Sequence, residues 1–345
     1  MTMSSEKLFY NAVNTALQSQ YKELAKLKTR HGSWEKSWEA LRTEKKLKIK
    51  PEEEYTKMTA ANISLVLLED VDYPPLLKET TFPPFGLYFK GSLPIFENSV
   101  AIVGTRKATA DGKELAQEFG RELATAGCVV ISGLALGIDA MGHKGALEGK
   151  GITVAVLANG LDHIYPATNA SLGEEIIRQG GALISEYPLG SPSLPYRFLE
   201  RNRIVSGLSK GVLIIEAPTR SGTIATARFA LEENRDVFVV PGPARHLNFG
   251  GSHELLKQGA TLVTTPGDIL HTLGMASETV VRLEDLSPEE AAILTVLKEA
   301  KEPLLIDKII EMSHLQAPIA NQLVSFLVIK GLIEETEKGY VTIKI

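Results

Sequence analysis

The chain has 345 residues, 44% apolar and 23% charged, which suits a globular protein of two or three domains and excludes a disordered or fibrous one. Its longest apolar runs, such as Gly211–Ala217, fall far short of the ~20 residues of a membrane span. With no basic-then-apolar leader and a single cysteine, Cys128, a cytoplasmic protein with no membrane partner and no cysteine-based metal site is expected. The net charge of −5 is uneven: residues 1–50 hold 11 Lys/Arg against 5 Asp/Glu, and residues 277–345 hold 7 against 12. A nucleic-acid partner would therefore meet a local patch, not a global field.

Residues 1–60 read as a helical module. Leu8–Gln20, Tyr21–Thr29 and Trp34–Arg42 space apolar residues three and four apart, and Gly32-Ser33 breaks the pattern. Lys45–Lys50 reads as a solvated basic tail. The module is either an appendage with an exposed charged face or a helical unit that touches nucleic acid. Prolines punctuate residues 62–95 and exclude a long helix there, leaving Leu87–Phe89 as a short strand.

From Val100 to Gly274, short β-branched runs alternate with helical stretches. Candidate strands are Val100–Val103, Cys128–Ser132, Thr153–Leu157, Ala182–Ser185, Val212–Glu216, Val237–Val240 and Thr261–Thr264. Candidate helices lie at Gly112–Ala126, Ile138–Glu148, Ala170–Gln179, Phe198–Leu208, Ile224–Asn234 and His253–Gln258. Nearly continuous apolar strands alternating with helices predict a doubly wound, mostly parallel α/β sheet over 61–274. Right-handed crossovers then place the strand C-terminal ends on one edge, where ligands bind. Residues 275–287 read as an acidic linker. Ser287, Pro288 and Glu289-Glu290 open a helix. Pro288–Ala300, Leu305–Ser313 and Ala317–Lys330, followed by Leu332–Thr336, a turn and Tyr340–Ile345, give a winged-helix pattern over 288–345.

The segments after the strands carry the chemistry. Arg106 and Lys107 follow the first, Ser132-Gly133 the second, and Arg220-Ser221-Gly222 the fifth. Two of them open a helix with a small hydroxyl and a glycine, which suits a phosphate, though tight turns need glycine anyway. G-x-G-x-x-G and G-x-x-x-x-G-K-[ST] do not occur, and no cofactor or metal is expected. Arg197, Phe198, Arg201, Asn202 and Arg203 add three arginines and an aromatic, fit to grip phosphate and stack a base, or else a solvated helix turn. Cys128 reads as a buried small hydrophobe.

These pieces, in order, resemble one family. They are Ala101–Arg106, Ser132–Asp139 running to Leu147, Gly160-Leu161-Asp162 with Tyr165-Pro166 and Asn169, and Ser185–Pro188. Arg201–Ile204, Arg220–Thr223 with Thr226-Ala227-Arg228, Val237–Gly242 and Gly259-Ala260 complete the set. The chain over 62–274 resembles the DNA-processing protein A family, also called DprA or Smf. The resemblance implies an extended Rossmann-like domain that binds single-stranded DNA and is not an enzyme. It also implies protection of incoming strands in natural transformation, loading of RecA, and a homodimer paired through that domain. It implies DNA contacts by Arg106, Phe198, Arg201 and Arg203. Some members carry a lysine three residues before the aromatic, where this chain has Pro195.

Two other readings stay open. Pro218–Thr223 partly matches the P-G-G-x-G-T-x-x-E signature of nucleotide phosphoribohydrolases, without its second glycine and its glutamate. A nucleotide-sensing winged-helix regulator is the third. Gln316–Lys330 offers few groups for reading a DNA groove, and the segment is acidic, so a protein contact is favoured over duplex binding.

Overall fold

The computed structural model describes residues 5–275, 287–300, 302–329, 332–336 and 338–342. The expected linker lies almost wholly outside them, as do Lys330 and residues 343–345. Two compact units divide the chain, Met1–Met275 and Ala276–Ile345.

In the first unit, four helices come first: α1 (Ser5–Leu17), α2 (Tyr21–His31), α3 (Trp34–Lys45) and α4 (Pro51–Ala60). Then follow β1 (Ser64–Leu67), α5 (Pro75–Lys78), β2 (Gly86–Gly91), β3 (Ser99–Val103), α6 (Ala110–Thr125), β4 (Val129–Ser132), α7 (Ile138–Glu148) and β5 (Thr153–Val156). After these come α8 (Ala170–Arg178), β6 (Ala182–Ser185), α9 (Pro195–Gly207), β7 (Gly211–Ile214), α10 (Gly222–Glu232), β8 (Asp236–Val239), α11 (Gly250–Lys257), β9 (Thr261–Leu262) and α12 (Pro266–Thr272).

All nine strands form one sheet in the order β1-β2-β6-β5-β4-β3-β7-β8-β9. From β6 to β9 the neighbours are parallel. β2 joins β6, and β1 joins β2, antiparallel. Every residue of β3, β4, β5, β6 and β7 is buried, which explains their unbroken apolar sequences: both faces are covered. The chain builds outward from β3 to β6, then returns to lay β7 on the other side of β3. Strand order reverses there, and the flanking loops part into a crevice.

One face packs Ile204 and Val205 of α9, Leu208 just beyond it, and Ala227 and Ala230 of α10 against alternate strand residues such as Val103, Ile131 and Ile214. On the other face α6 and α7 cover Val100, Ile102 and Val130. These two helices touch backbone to backbone. A Cβ on Gly145 would stand 1.9 Å from the Gln117 carbonyl oxygen.

The N-terminal helices do not form a module apart, as the sequence had suggested. Tyr10, Trp34, Trp38 and Leu41 share one apolar cluster with Leu65, Tyr88 and Leu183 of the sheet. Asn14 Nδ2 donates to Tyr88 Oη (3.2 Å) and to the Glu186 carbonyl (3.1 Å). Four short helices cannot bury two tryptophans among themselves, and the sheet supplies the missing surface. The proline-rich bridge also holds a strand that the sequence did not suggest, β1, at the sheet's antiparallel edge.

His143 on α7 is buried, with Nδ1 2.7 Å from Thr153 Oγ1. That hydroxyl already donates to the Val130 carbonyl, so the ring nitrogen must be the donor and the imidazole is neutral. Burial pushes its pKa down to about 3, with the Arg201 charge adding to the effect.

The second unit holds α13 (Pro288–Glu299), α14 (Ile306–Ser313), α15 (Ala317–Ile329) and the antiparallel pair β10 (Ile333–Thr336) and β11 (Gly339–Thr342). Ser287 and Glu290 cap α13 reciprocally. Ile293, Leu297, Ile309, Val324, Leu327 and Ile333 form its core.

Two stability measurements test this packing. Gly145→Ala is expected to cost about 1–3 kcal/mol in urea unfolding, because α6 and α7 must separate; an unchanged midpoint would show that they give way freely. Unfolded His143 takes up a proton near its ordinary value of 6.5, whereas the folded ring does so only near 3. Its contribution is therefore lost as pH falls through that window, and wild type should lose about 2 kcal/mol more than His143→Gln between pH 7 and pH 5.

Candidate nucleic-acid interface

Where strand order reverses, the sheet edge holds a cavity of about 560 Å³. Its walls come from Gly104–Arg106 after β3, Ala135 and Asp139 after β4, the Pro218–Gly222 turn after β7, and Phe198, Arg201 and Asn202 of α9. A smaller hollow of about 50 Å³ is also lined by Arg106, Tyr165 and Phe198.

Arg201 forms the floor. It is buried, and its Nη1 donates to the Gly133 carbonyl at 2.8 Å and to the Val156 carbonyl. A Cβ on Gly133 would meet the guanidinium at 2.4 Å, so this turn needs glycine. Burial pushes the Arg201 pKa down to about 10, against the pull of Asp139, and the side chain stays charged at neutral pH. Asp139 accepts from the backbone of Gly133 (3.1 Å) and Ala135 (3.4 Å). Burial raises its carboxyl, and the Arg201 charge opposes that rise. Asn202 Nδ2 donates to the Gly222 carbonyl (3.2 Å), fastening α9 to the start of α10.

The rim is open. The Arg106 guanidinium lies 5.1 Å from the Phe198 ring centroid, and Tyr165 lies 5.6 Å from the same ring. Arg220 is exposed on the opposite turn. Ser221 caps α10 with extended backbone, and its Oγ is buried with no hydrogen-bond partner among the described residues. The first-turn amides of α10 are those a helix start leaves without partners inside the helix.

Seven expected residues thus line the cavity: Arg106, Phe198, Arg201, Asn202, Arg220, Ser221 and Gly222. Gly133 lines the smaller hollow. The other four do not line either. Lys107 is exposed one residue beyond, where its carbonyl accepts from Asn248. Ser132 is in the core, donating to the Ile102 carbonyl. Arg197 is buried 4.4 Å from the Tyr187 ring, and its Nη1 donates to the Pro192 carbonyl (2.8 Å). Arg203 pairs with buried Glu186. Position 203 turns away from the face shared by 198, 201 and 202, while Arg197, one turn before Arg201, is held instead by Tyr187 and the Pro192 carbonyl. Tyr165 was not among the expected contacts. Its signal was an aromatic beside Pro166 in a segment after a strand.

A doubly wound, mostly parallel sheet with cations, two aromatic rings and a helix N-terminus at its reversal point defines a Rossmann-like protein. The sequence pattern of the DNA recombination-mediator protein A family matches residues 64–274, and the chain belongs to that family. The Smf protein of Escherichia coli (strain K12) is 47% identical over 213 residues, which cover 61% of this chain and 57% of that protein. The match therefore spans little more than half of that relative. The X-ray structure of DNA processing protein A from Streptococcus pneumoniae superposes with a TM-score of 0.66 at 30% identity, covering 79% of this chain and 98% of that one. The Helicobacter pylori protein, solved for its single-stranded DNA binding mode, gives 0.55 at 33% identity over 61% of this chain and 95% of that one.

The site separates two arginines by role. Arg203→Ala leaves Glu186 buried and unpaired, and should cost about 3–5 kcal/mol in chemical unfolding. Arg106→Ala, exposed, should stay within about 0.5 kcal/mol of wild type in the same measurement.

Proposed function

We propose that this protein binds single-stranded DNA in the crevice and acts as a recombination mediator in natural transformation, without turnover. In this reading it protects the incoming strand, hands it to RecA, and works in the cytoplasm as a homodimer paired through the Rossmann-like unit. One observation carries the reading: Arg106, Phe198 and Tyr165 stand together beside the start of α10. Arg106 and Arg220 take phosphates, with the α10 amides and Ser221 Oγ. Phe198 and Tyr165 stack bases, which is tolerant of sequence. Arg201 lends charge from the floor, since its guanidinium is committed to backbone carbonyls. The Helicobacter pylori relative, whose structure was solved for its single-stranded DNA binding mode, supports the same reading.

The phosphoribohydrolase alternative gains no support from the site. The position of that signature's glutamate is Thr226, which donates back to the Gly222 carbonyl. The cavity's Asp139 is occupied by two backbone amides. Three helices followed by an antiparallel pair support a winged-helix reading of the second unit. α15 carries no charged residue, which favours a protein contact over groove reading.

Fluorescence anisotropy with single-stranded and duplex oligonucleotides across a salt series tests the proposal. Tighter single-strand binding with a steep salt slope is expected. Arg106→Ala and Phe198→Ala should each weaken it by about 1–3 kcal/mol. Equal affinity for duplex, or wild-type affinity in both variants, overturns the assignment.

A further inference from the structure

The chain's positive charge is concentrated far from the crevice's own residues in sequence. Residues 21–50 hold 10 Lys/Arg against 4 Asp/Glu, in a chain of net charge −5. Arg42, Lys45, Lys46 and Lys48 are all exposed, at the end of α3 and just beyond it. None of the four makes an ion pair with a described residue. Lys50 and Lys57, by contrast, are paired with Glu53 and Glu54 of α4. The acidic first turn of α4 thus bounds the cationic stretch on one side. α2 packs on α3, and Lys22 near the start of α2 is also exposed.

The segment between α3 and α4 is built, not loose. From Lys46 to Lys50, exposed lysines alternate with the partly buried Leu47 and Ile49, which pack on the N-terminal apolar cluster. Lys46 itself closes α3 in a left-handed turn (φ 50°), and beyond it Lys48 and Lys50 are exposed while Leu47 and Ile49 are partly buried. Apolar anchors on one side fix cations on the other. Clustered like charges repel and destabilise a compact unit unless a polyanion neutralises them. The cluster that anchors Leu47 and Ile49 also includes sheet residues Tyr88 and Leu183, so the lysines and the crevice belong to one compact unit.

We propose that Arg42, Lys45, Lys46 and Lys48, with Lys22, form a second phosphate-contacting surface for single-stranded DNA outside the crevice. A strand longer than the crevice is then held at two places. This rests on the crevice reading for the first of those places.

The test uses the full chain and two labelled oligothymidylates, one of about 6 nucleotides and one several times longer, within and beyond a typical single-strand site. The variant is Lys45→Gln/Lys46→Gln/Lys48→Gln, with arginine at the same three positions as the conservative control. Short-strand affinity should be unchanged. Long-strand affinity should fall about 10-fold or more at roughly 0.1 M salt, and the slope of log affinity against log salt should shrink by about 2. The arginine variant should restore both. An unchanged long-strand affinity and slope overturns the lysine surface and leaves the crevice reading standing. Equal losses on short and long strands overturn it too, since the lysines would then act on the crevice. A selective loss of duplex binding overturns the single-strand assignment. If wild type ignores the short strand yet the variant loses the long one, the crevice reading fails and the lysine surface stands.

Discussion

A buried guanidinium organises this molecule. Arg201 is almost wholly buried, and its guanidinium takes backbone carbonyls, one after β4 and one at the end of β5. Asp139 compensates part of its charge while accepting from the β4 turn. One helix residue thereby fixes the turn whose geometry opens the crevice. Asn202, the next residue, ties the same helix to the start of α10. The cavity walls are separate loops, and α9 is what holds them in register.

The other side of α9 is held as firmly. Arg203 pairs with Glu186 and lies 5.8 Å from the Tyr21 ring, while Arg197 Nη2 donates to Gln18 Oε1 (3.4 Å). Ser19 and Asn14 donate to the Glu186 carbonyl. The N-terminal helices are therefore a clamp on the helix that carries Phe198. That is a structural use for arginines that composition alone would have assigned to ligand.

Much of this was legible in the sequence, for identifiable reasons. Strands buried on both faces write themselves as apolar runs, so β3 to β8 were placed within a residue or two. Glycine and small hydroxyls after strands marked the crevice turns. What stayed hidden depends on three dimensions. An arginine-rich run does not say which way each side chain points once the helix turns by 100° per residue. Ser132 looked like a phosphate ligand because its neighbour Gly133 is one of the turn residues, yet its own side chain faces the core. β1 is only four residues long, Ser-Leu-Val-Leu, and lies outside the strand–helix alternation that marked the other strands. The docking of α1 on the sheet rests on contacts more than seventy residues apart, such as Asn14 with Tyr88, which spacing cannot express.

Phe198 already has a cationic neighbour before any base arrives, because Arg106 lies over its ring. In the proposed reading, a base that stacks there would take the place of that guanidinium and free it to meet a phosphate. Loading would then be an exchange of partners, in which one contact is surrendered as two are gained. In that reading the aromatic surface would stay covered throughout, by the guanidinium or by a base.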